Sequence, residues 1–215
     1  MNFLERIEYR EDAEANGIKG WWWAVGDNGA WEGPKNDWET QHKQRMFNYV
    51  KDFNTVITAG GNCGMYTRFY ADIFKHVYTF EPDGINFHCL VLNNPFDHVI
   101  KYNTALGDHN GFISVLRSGD DNVGMHKVID EPDAFIPIMT IDSMDLKSCD
   151  LIQLDVEGYE INVLKGAIET IKRYKPCIVG ENCGEHSEVH QFLSTLGYRS
   201  INQVAADTIY VHESF

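Results

Sequence analysis

From residue 53 onward, short dense apolar runs alternate with longer segments whose apolar residues recur every third or fourth position. The dense runs are centred on Val56 and Ile57, on Val77, Tyr78 and Phe80, on Val99 and Ile100, on Leu151, Ile152 and Leu154, and on Ile178 and Val179. They are brief, rich in β-branched and aromatic residues, and bounded by Gly, Pro, Asn or Asp, which predicts buried strands. The periodic segments predict helices over 65–75, over 83–94 with Asp83 as cap and Pro95 as stop, over 159–174, and over 188–196 before Gly197. In 159–174, Ile161, Leu164, Ile168 and Ile171 share one face. Residues 111–117 read as an excursion strand and 118–134 as a polar loop. Residues 198–202 and 208–212 read as a closing hairpin. Such alternation implies an α/β doubly wound, mostly parallel sheet with helices on both faces. Residues 1–52 differ in character: Trp21, Trp22, Trp23 and Trp31 flank a Gly-Asp-Asn-Gly turn at 26–29 that predicts a hairpin, and a helix follows over 38–51.

The first strand runs into Gly60-Gly61-Asn62-Cys63-Gly64. A strand, a glycine turn and a helix start let a ligand lie against bare backbone, and the unpaired amides of the helix start favour an anionic group. The second strand ends at Glu81, 21 residues after Gly60, close to where nucleotide-binding βαβ units place a carboxylate on ribose hydroxyls. Ligands of such sheets bind at the carboxyl ends of the strands. Those ends are Gly60-Gly61-Asn62, Glu81-Pro82-Asp83, Thr104 to Asp108 and Asp155-Val156-Glu157-Gly158, and they converge on one crevice.

The net charge of −14, from 18 basic and 32 acidic residues, argues against a non-specific grip on nucleic acid or an anionic membrane, both of which need a basic face, though it leaves room for a small basic pocket. Five scattered cysteines without a C-x-x-C pair read as free thiols of a reducing cytosol. The charged N-terminus lacks a signal-peptide apolar core, and no window has the length of a membrane span. A cytoplasmic protein follows.

Thr58 to Gly64, Phe80-Glu81-Pro82-Asp83, Leu154-Asp155-Val156-Glu157-Gly158-Tyr159-Glu160 and Leu164-Lys165-Gly166-Ala167 resemble the FkbM-type family of S-adenosylmethionine-dependent methyltransferases. Thr140-Ile141-Asp142 is similar to its T-L-D element, and Lys175-Pro176 with Glu181 to its K-P…E strand. The resemblance covers about residues 53–200. It implies a class I methyltransferase (Rossmann-like) fold of seven strands, with 53–215 as the cofactor-binding domain and 1–52 as an extension. It also implies S-adenosyl-L-methionine as cofactor and O-methylation as the activity. Gly60, Gly61 and Gly64 would approach the methionine moiety, Glu81 the ribose diol, and Ala105, Leu106 and Asp108 the adenine. Asn62, Met65, Tyr66, Pro82 and Asp155 complete the implied cofactor set. The chain departs from the family pattern at Thr58, where an acid is common, and at Gln153, where a lysine is common.

For the acceptor, Asp155 and Glu157 lie two apart beyond a strand end and point to one side if the backbone stays extended. One would deprotonate or orient an acceptor hydroxyl and the other hold its neighbour, with in-line positioning supplying much of the rate. Asp155 would alternatively only cap the following helix. His126, in the polar loop, titrates near neutrality and is a further candidate base. Glu185, His186, Glu188 and His190 have metal-like spacing, but a charged helix start is the simpler reading, and no metal is assigned. The Trp-rich segment fits either an aromatic floor for a sugar or a hairpin packed on the core. The leading reading is a small-molecule or glycan O-methyltransferase. Its alternatives are a nucleic-acid methyltransferase, a dinucleotide oxidoreductase and a non-catalytic S-adenosylmethionine-binding protein.

Overall fold

The computed structural model describes residues 3–15, 17–27, 45–117, 126–129, 131, 133–181, 183–204 and 207–215. It opens with an antiparallel pair, β1 (Ile7–Ala15) and β2 (Ile18–Ala24). The sequence places the turn of this hairpin at 26–29, whereas the structure pairs Trp21, Trp22 and Trp23 with an upstream strand. Glu8, Arg10, Glu11, Asp12 and Glu14 crowd β1, and that density of charge masks a strand pattern. Residues 28–44, which hold the expected second strand and most of the 38–51 helix, lie outside the described residues. Trp21 and Trp23 alternate into a buried cluster with Ile7, Cys63, Ile85 and Cys89, so these two indoles pack on the core. Trp22, half-buried beside that cluster, meets the Tyr9 ring with centroids 5.4 Å apart.

The chain then runs through β3 (Thr55–Ala59), α1 (Met65–Ala71), β4 (His76–Phe80), α2 (Gly84–Asn93), β5 (Val99–Tyr102), β6 (Ala105–Leu106), β7 (Gly111–Leu116), β8 (Lys127–Ile129) and β9 (Ile136–Met139). It continues through β10 (Leu151–Leu154), α3 (Glu160–Lys165), α4 (Ile168–Tyr174), β11 (Cys177–Glu181), α5 (Glu188–Thr195), β12 (Tyr198–Val204) and β13 (Asp207–His212). Seven strands form the main sheet in the order β5-β4-β3-β10-β11-β13-β12. The sheet is mixed: β13 runs antiparallel to both β11 and β12, while β5, β4, β3, β10 and β11 pair in parallel. The strands alternate their side chains between two cores. Val56, Leu151, Cys177 and Val179 meet Tyr70 and Phe74 on one face. Ile57, Ile152 and Ile178 meet Val163, Leu164, Ile171 and Leu193 on the other. Burial on both faces is what makes the sequence of these strands read as near-continuous apolar runs.

Two differences from the sequence reading matter for the site. The helix foreseen over 159–174 is two helices. Asp142 takes the amides of Glu169 (3.0 Å) and Thr170 (2.8 Å), and its own amide donates to the Gly166 carbonyl (2.9 Å). A capping carboxylate arriving from outside thus starts α4 afresh. Second, the 118–134 loop contains β8, and β9 follows it. These strands pair with β7, and β6 pairs with β9, as a small four-stranded sheet. Residues 118–125 lie outside the described residues. Among the described residues no helix is long and apolar enough to cross a membrane.

Candidate functional site

The turn after β3 is fixed by its neighbours. The amides of Gly60 (3.1 Å) and Gly61 (2.8 Å) both donate to the Phe80 carbonyl at the end of β4. Gly60 has φ +84°, and a Cβ there would stand 1.8 Å from the backbone oxygen of Asp155. The ends of β3 and β10 therefore abut at a position only glycine can fill. Gly61 lacks a positive φ; its Cβ would meet Leu90 Cδ1 at 2.5 Å and Thr79 Oγ1 at 2.6 Å. The sequence reading has Gly61 approaching the methionine moiety with bare backbone. The structure turns this α-carbon into the core, so a valine there breaks packing first. Asn62 (φ +45°) and Gly64 (φ +91°) complete the turn, and Met65 and Tyr66 open α1, half-buried.

Glu81 is 5% exposed and stands over this turn. Its Oε2 accepts the Asn62 amide at 2.7 Å and its Oε1 the Asp83 amide at 2.8 Å. Burial pushes the carboxyl up to about 8; the two amides pull it down, and the charges of Asp83 and Asp155 raise it further. Each oxygen retains a second lone pair, so a diol can still donate to it. Asn103 holds the same corner by donating to the carbonyls of Glu81 (2.8 Å) and Pro82 (3.2 Å).

Beyond β10, carboxylate oxygens of Asp155, Glu157 and Glu181 lie within 4.8 Å of one another, all half-buried. Glu157 adopts φ +54°, so the pair converges through a left-handed turn rather than the extended backbone the sequence suggests. Burial raises the Glu157 carboxyl, Lys127 lowers it and Glu160 raises it. The amides of this turn, from Val156 and Gly158, go to Glu160 Oε1 at 3.2 Å each. The N-cap position of α3 is Tyr159, so Asp155 is not the capping residue. The three carboxylates suit hydroxyl or cation contacts. The sequence does not single out Glu181 as a site residue, although the strand-end rule that selects Asp155 also selects it.

His126 does not join these acids. Its Nδ1 lies 3.6 Å from Asp83 Oδ2, which puts the imidazole at the Glu81 corner. Ala105 and Leu106 are each 3% exposed, paired with Ile138 and Met139 of β9. Asp108 Oδ1 meets His109 Nδ1 at 2.8 Å on the exposed rim. His190 Nδ1 faces the Tyr210 hydroxyl at 3.2 Å, and among the described residues the Glu185–His190 stretch forms no converging ligand set. Thr58 and Gln153, the two departures from the family pattern, are register partners on β3 and β10. Two neutral side chains thus replace two opposite charges at adjoining buried places. A cavity of about 410 Å³ opens at the other end of the sheet, by Asn54, His76, Tyr78 and Leu146, away from all of these groups.

Comparison with known proteins bears on the family and the fold. The profile of the family described as "Methyltransferase FkbM domain" matches residues 60–200. A methyltransferase FkbM from Methylobacillus flagellatus KT superposes with a TM-score of 0.53 at 16% identity, over 74% of this chain and 43% of that one. The chain thus spans less than half the length of that relative. An rRNA methylase from Streptococcus thermophilus gives a TM-score of 0.48 at 12% identity, over 80% of this chain and 94% of the other. The N-methyltransferase NodS from Bradyrhizobium japonicum WM9 gives 0.48 at 9% identity, over 86% and 91%. At 16% identity the likeness to the first of these is one of fold. No curated protein sequence matches the chain significantly.

Proposed function

The chain belongs to the FkbM methyltransferase family, whose methyl donor is S-adenosylmethionine, and on that premise we propose that it transfers a methyl group to a hydroxyl of a small molecule or glycan. The observation that carries the reading is Glu81, a buried carboxylate beside the glycine turn with acceptor capacity left for two ribose hydroxyls. The turn from Gly60 to Gly64, with Met65 and Tyr66, receives the methionine portion. Pro82 flanks the ribose, and the 105–108 segment, with Ala105, Leu106 and Asp108, borders the adenine. Asp155 and Glu157, joined by Glu181, hold the acceptor. When bound, the cofactor would supply an electrophilic methyl group on its sulfonium; the acceptor oxygen, held in line by these carboxylates, would take it as the carbon–sulfur bond breaks and S-adenosylhomocysteine leaves as a neutral thioether. The hydroxyl proton passes to one of the carboxylates; the raised Glu157 carboxyl is the better base. His126, held at Asp83, is too closely tied to the ribose corner to be the first choice for this step.

A net charge of −14 weighs against a nucleic-acid acceptor. Five buried, unbridged cysteines fit a reducing compartment such as the cytoplasm. Residues 53–215 form the methyltransferase domain in this reading, and 1–52 an extension clamped to it by Asn93. The Asn93 side chain exchanges hydrogen bonds with the Trp22 backbone at 2.8 and 2.9 Å. The test is turnover of carbon-13-methyl-labelled cofactor with hydroxylated small molecules and glycans. The carbon-13 shift of the product should be that of an oxygen-bound methyl; a nitrogen- or carbon-bound methyl contradicts the reading.

A further inference from the structure

Asp83 divides its carboxylate between two tasks. Its Oδ1 caps α2 by accepting the amides of Ile85 (2.8 Å) and Asn86 (3.2 Å). Its Oδ2 meets Arg117 at both Nε and Nη2, each at 2.7 Å, with His126 Nδ1 at 3.6 Å. The Asp83 side chain is 2% exposed, so its charge has no solvent to turn to. Arg117 directly follows β7, and His126 directly precedes β8. The Asp83 amide in turn donates to Glu81, and Glu81 accepts the Asn62 amide from the glycine turn. A continuous path of charge-assisted bonds therefore runs from the β7–β8 hairpin to the cofactor turn. The same hairpin carries Lys127, whose charge bears on Glu157, so it faces both halves of the crevice.

We propose that Arg117 is a positioning residue for cofactor binding: by holding Asp83 it sets Glu81 against Asn62 and ties the β7–β8 hairpin to the corner that receives the ribose. This rests on the reading of Glu81 as the ribose carboxylate. Removing the guanidinium leaves the buried Asp83 charge, two residues from Glu81, to the α2 amides and the more distant His126, without its full cationic partner. The groups bearing on Glu81 are then Asp83, Asp155 and Cys63, the amides of Asn62 and Asp83, and His126 through Asp83. An Asp83 charge without that partner makes Glu81 harder to ionise. Ribose hydroxyls donate to the ionised form, so affinity rises with pH through the Glu81 transition, and that transition moves up when Arg117 is lost.

The experiment is calorimetric titration with S-adenosylhomocysteine from about pH 6.5 to 9.5, with Glu81→Gln as reference because the ligand's amino group titrates in the same range. In Arg117→Ala, folded by circular dichroism, the dissociation constant should rise about tenfold, and the Glu81-dependent midpoint should move up by about one pH unit. Arg117→Lys should lie between, and the double variant Arg117→Ala/Asp83→Asn should return the midpoint to the wild-type position or below. A folded Arg117→Ala with wild-type affinity and midpoint overturns the proposal. Should Arg117→Ala fail to fold, Asp83→Asn carries the test in the opposite direction. It keeps a good capping side chain and removes the charge, so the midpoint should fall; an unmoved midpoint overturns the proposal. If Glu81→Gln binds like the wild type, the ribose reading fails instead, which separates the two failures.

Discussion

Gly60→Ala should abolish cofactor binding and cost roughly 2–5 kcal/mol of stability. Two penalties act together. The residue holds φ +84°, and the new methyl would drive into the Asp155 carbonyl at 1.8 Å. A backbone oxygen cannot step aside as a side chain would, so β3 and β10 must part at the level where the crevice forms. Gly17→Ala is the control: φ is +73° but nothing lies within 4 Å, so only the conformational strain of about 1–2 kcal/mol remains. Thermal melts of both variants and a titration with S-adenosylhomocysteine check this. Equal melting points, or normal binding by Gly60→Ala, would mean that the strand ends are not in contact as described.

Turnover should fall by about 10²-fold or more in Asp155→Asn or Glu157→Gln if that residue is the base. Each amide keeps the size of its parent, and neither residue caps α3, where Glu160 takes the amides of the turn. Folding should therefore hold. Glu157→Gln should also leave the cofactor dissociation constant in place. Asp155→Asn removes a charge that bears on Glu81, so a modest tightening of cofactor binding is expected alongside the loss of rate. Steady-state kinetics on an identified acceptor separate these effects. Full turnover in both variants would leave Glu181 and His126 as the groups to test.

The parts of this account legible in the sequence are those set by local rules. Apolar runs placed the five parallel strands of the main sheet, because burial on both faces leaves little choice of residue, and the closing hairpin was legible as two short strands after Gly197. Asp83 announced itself as a cap one residue before α2. Glycines at 60, 61 and 64 marked the turn, but not which way each α-carbon faces; Gly61 is bare for Leu90 and Thr79 because of tertiary packing. The unread features all depend on distant partners. Asp142 interrupts a helix whose own periodicity is unbroken. Charge-rich β1 needs β2 to become a strand. Arg117, an ordinary surface cation in the sequence, acquires a role only when β7 brings it to Asp83. Asp155, Glu157 and Glu181 converge through a left-handed turn at Glu157 and a neighbouring strand end, neither of which residue spacing encodes.

The central claim is that S-adenosylmethionine binds with its ribose on Glu81. Calorimetric titration of the wild type and Glu81→Ala with S-adenosylhomocysteine, beside NAD, at a pH above the Glu81 transition where the carboxyl is ionised, tests it most directly. Hydrogen bonds to a charged group contribute roughly 1.5–3 kcal/mol, so Glu81→Ala should weaken S-adenosylhomocysteine binding about tenfold or more, while NAD shows no saturable heat with either chain. An unchanged dissociation constant in Glu81→Ala, or tighter binding of NAD than of S-adenosylhomocysteine, would contradict it.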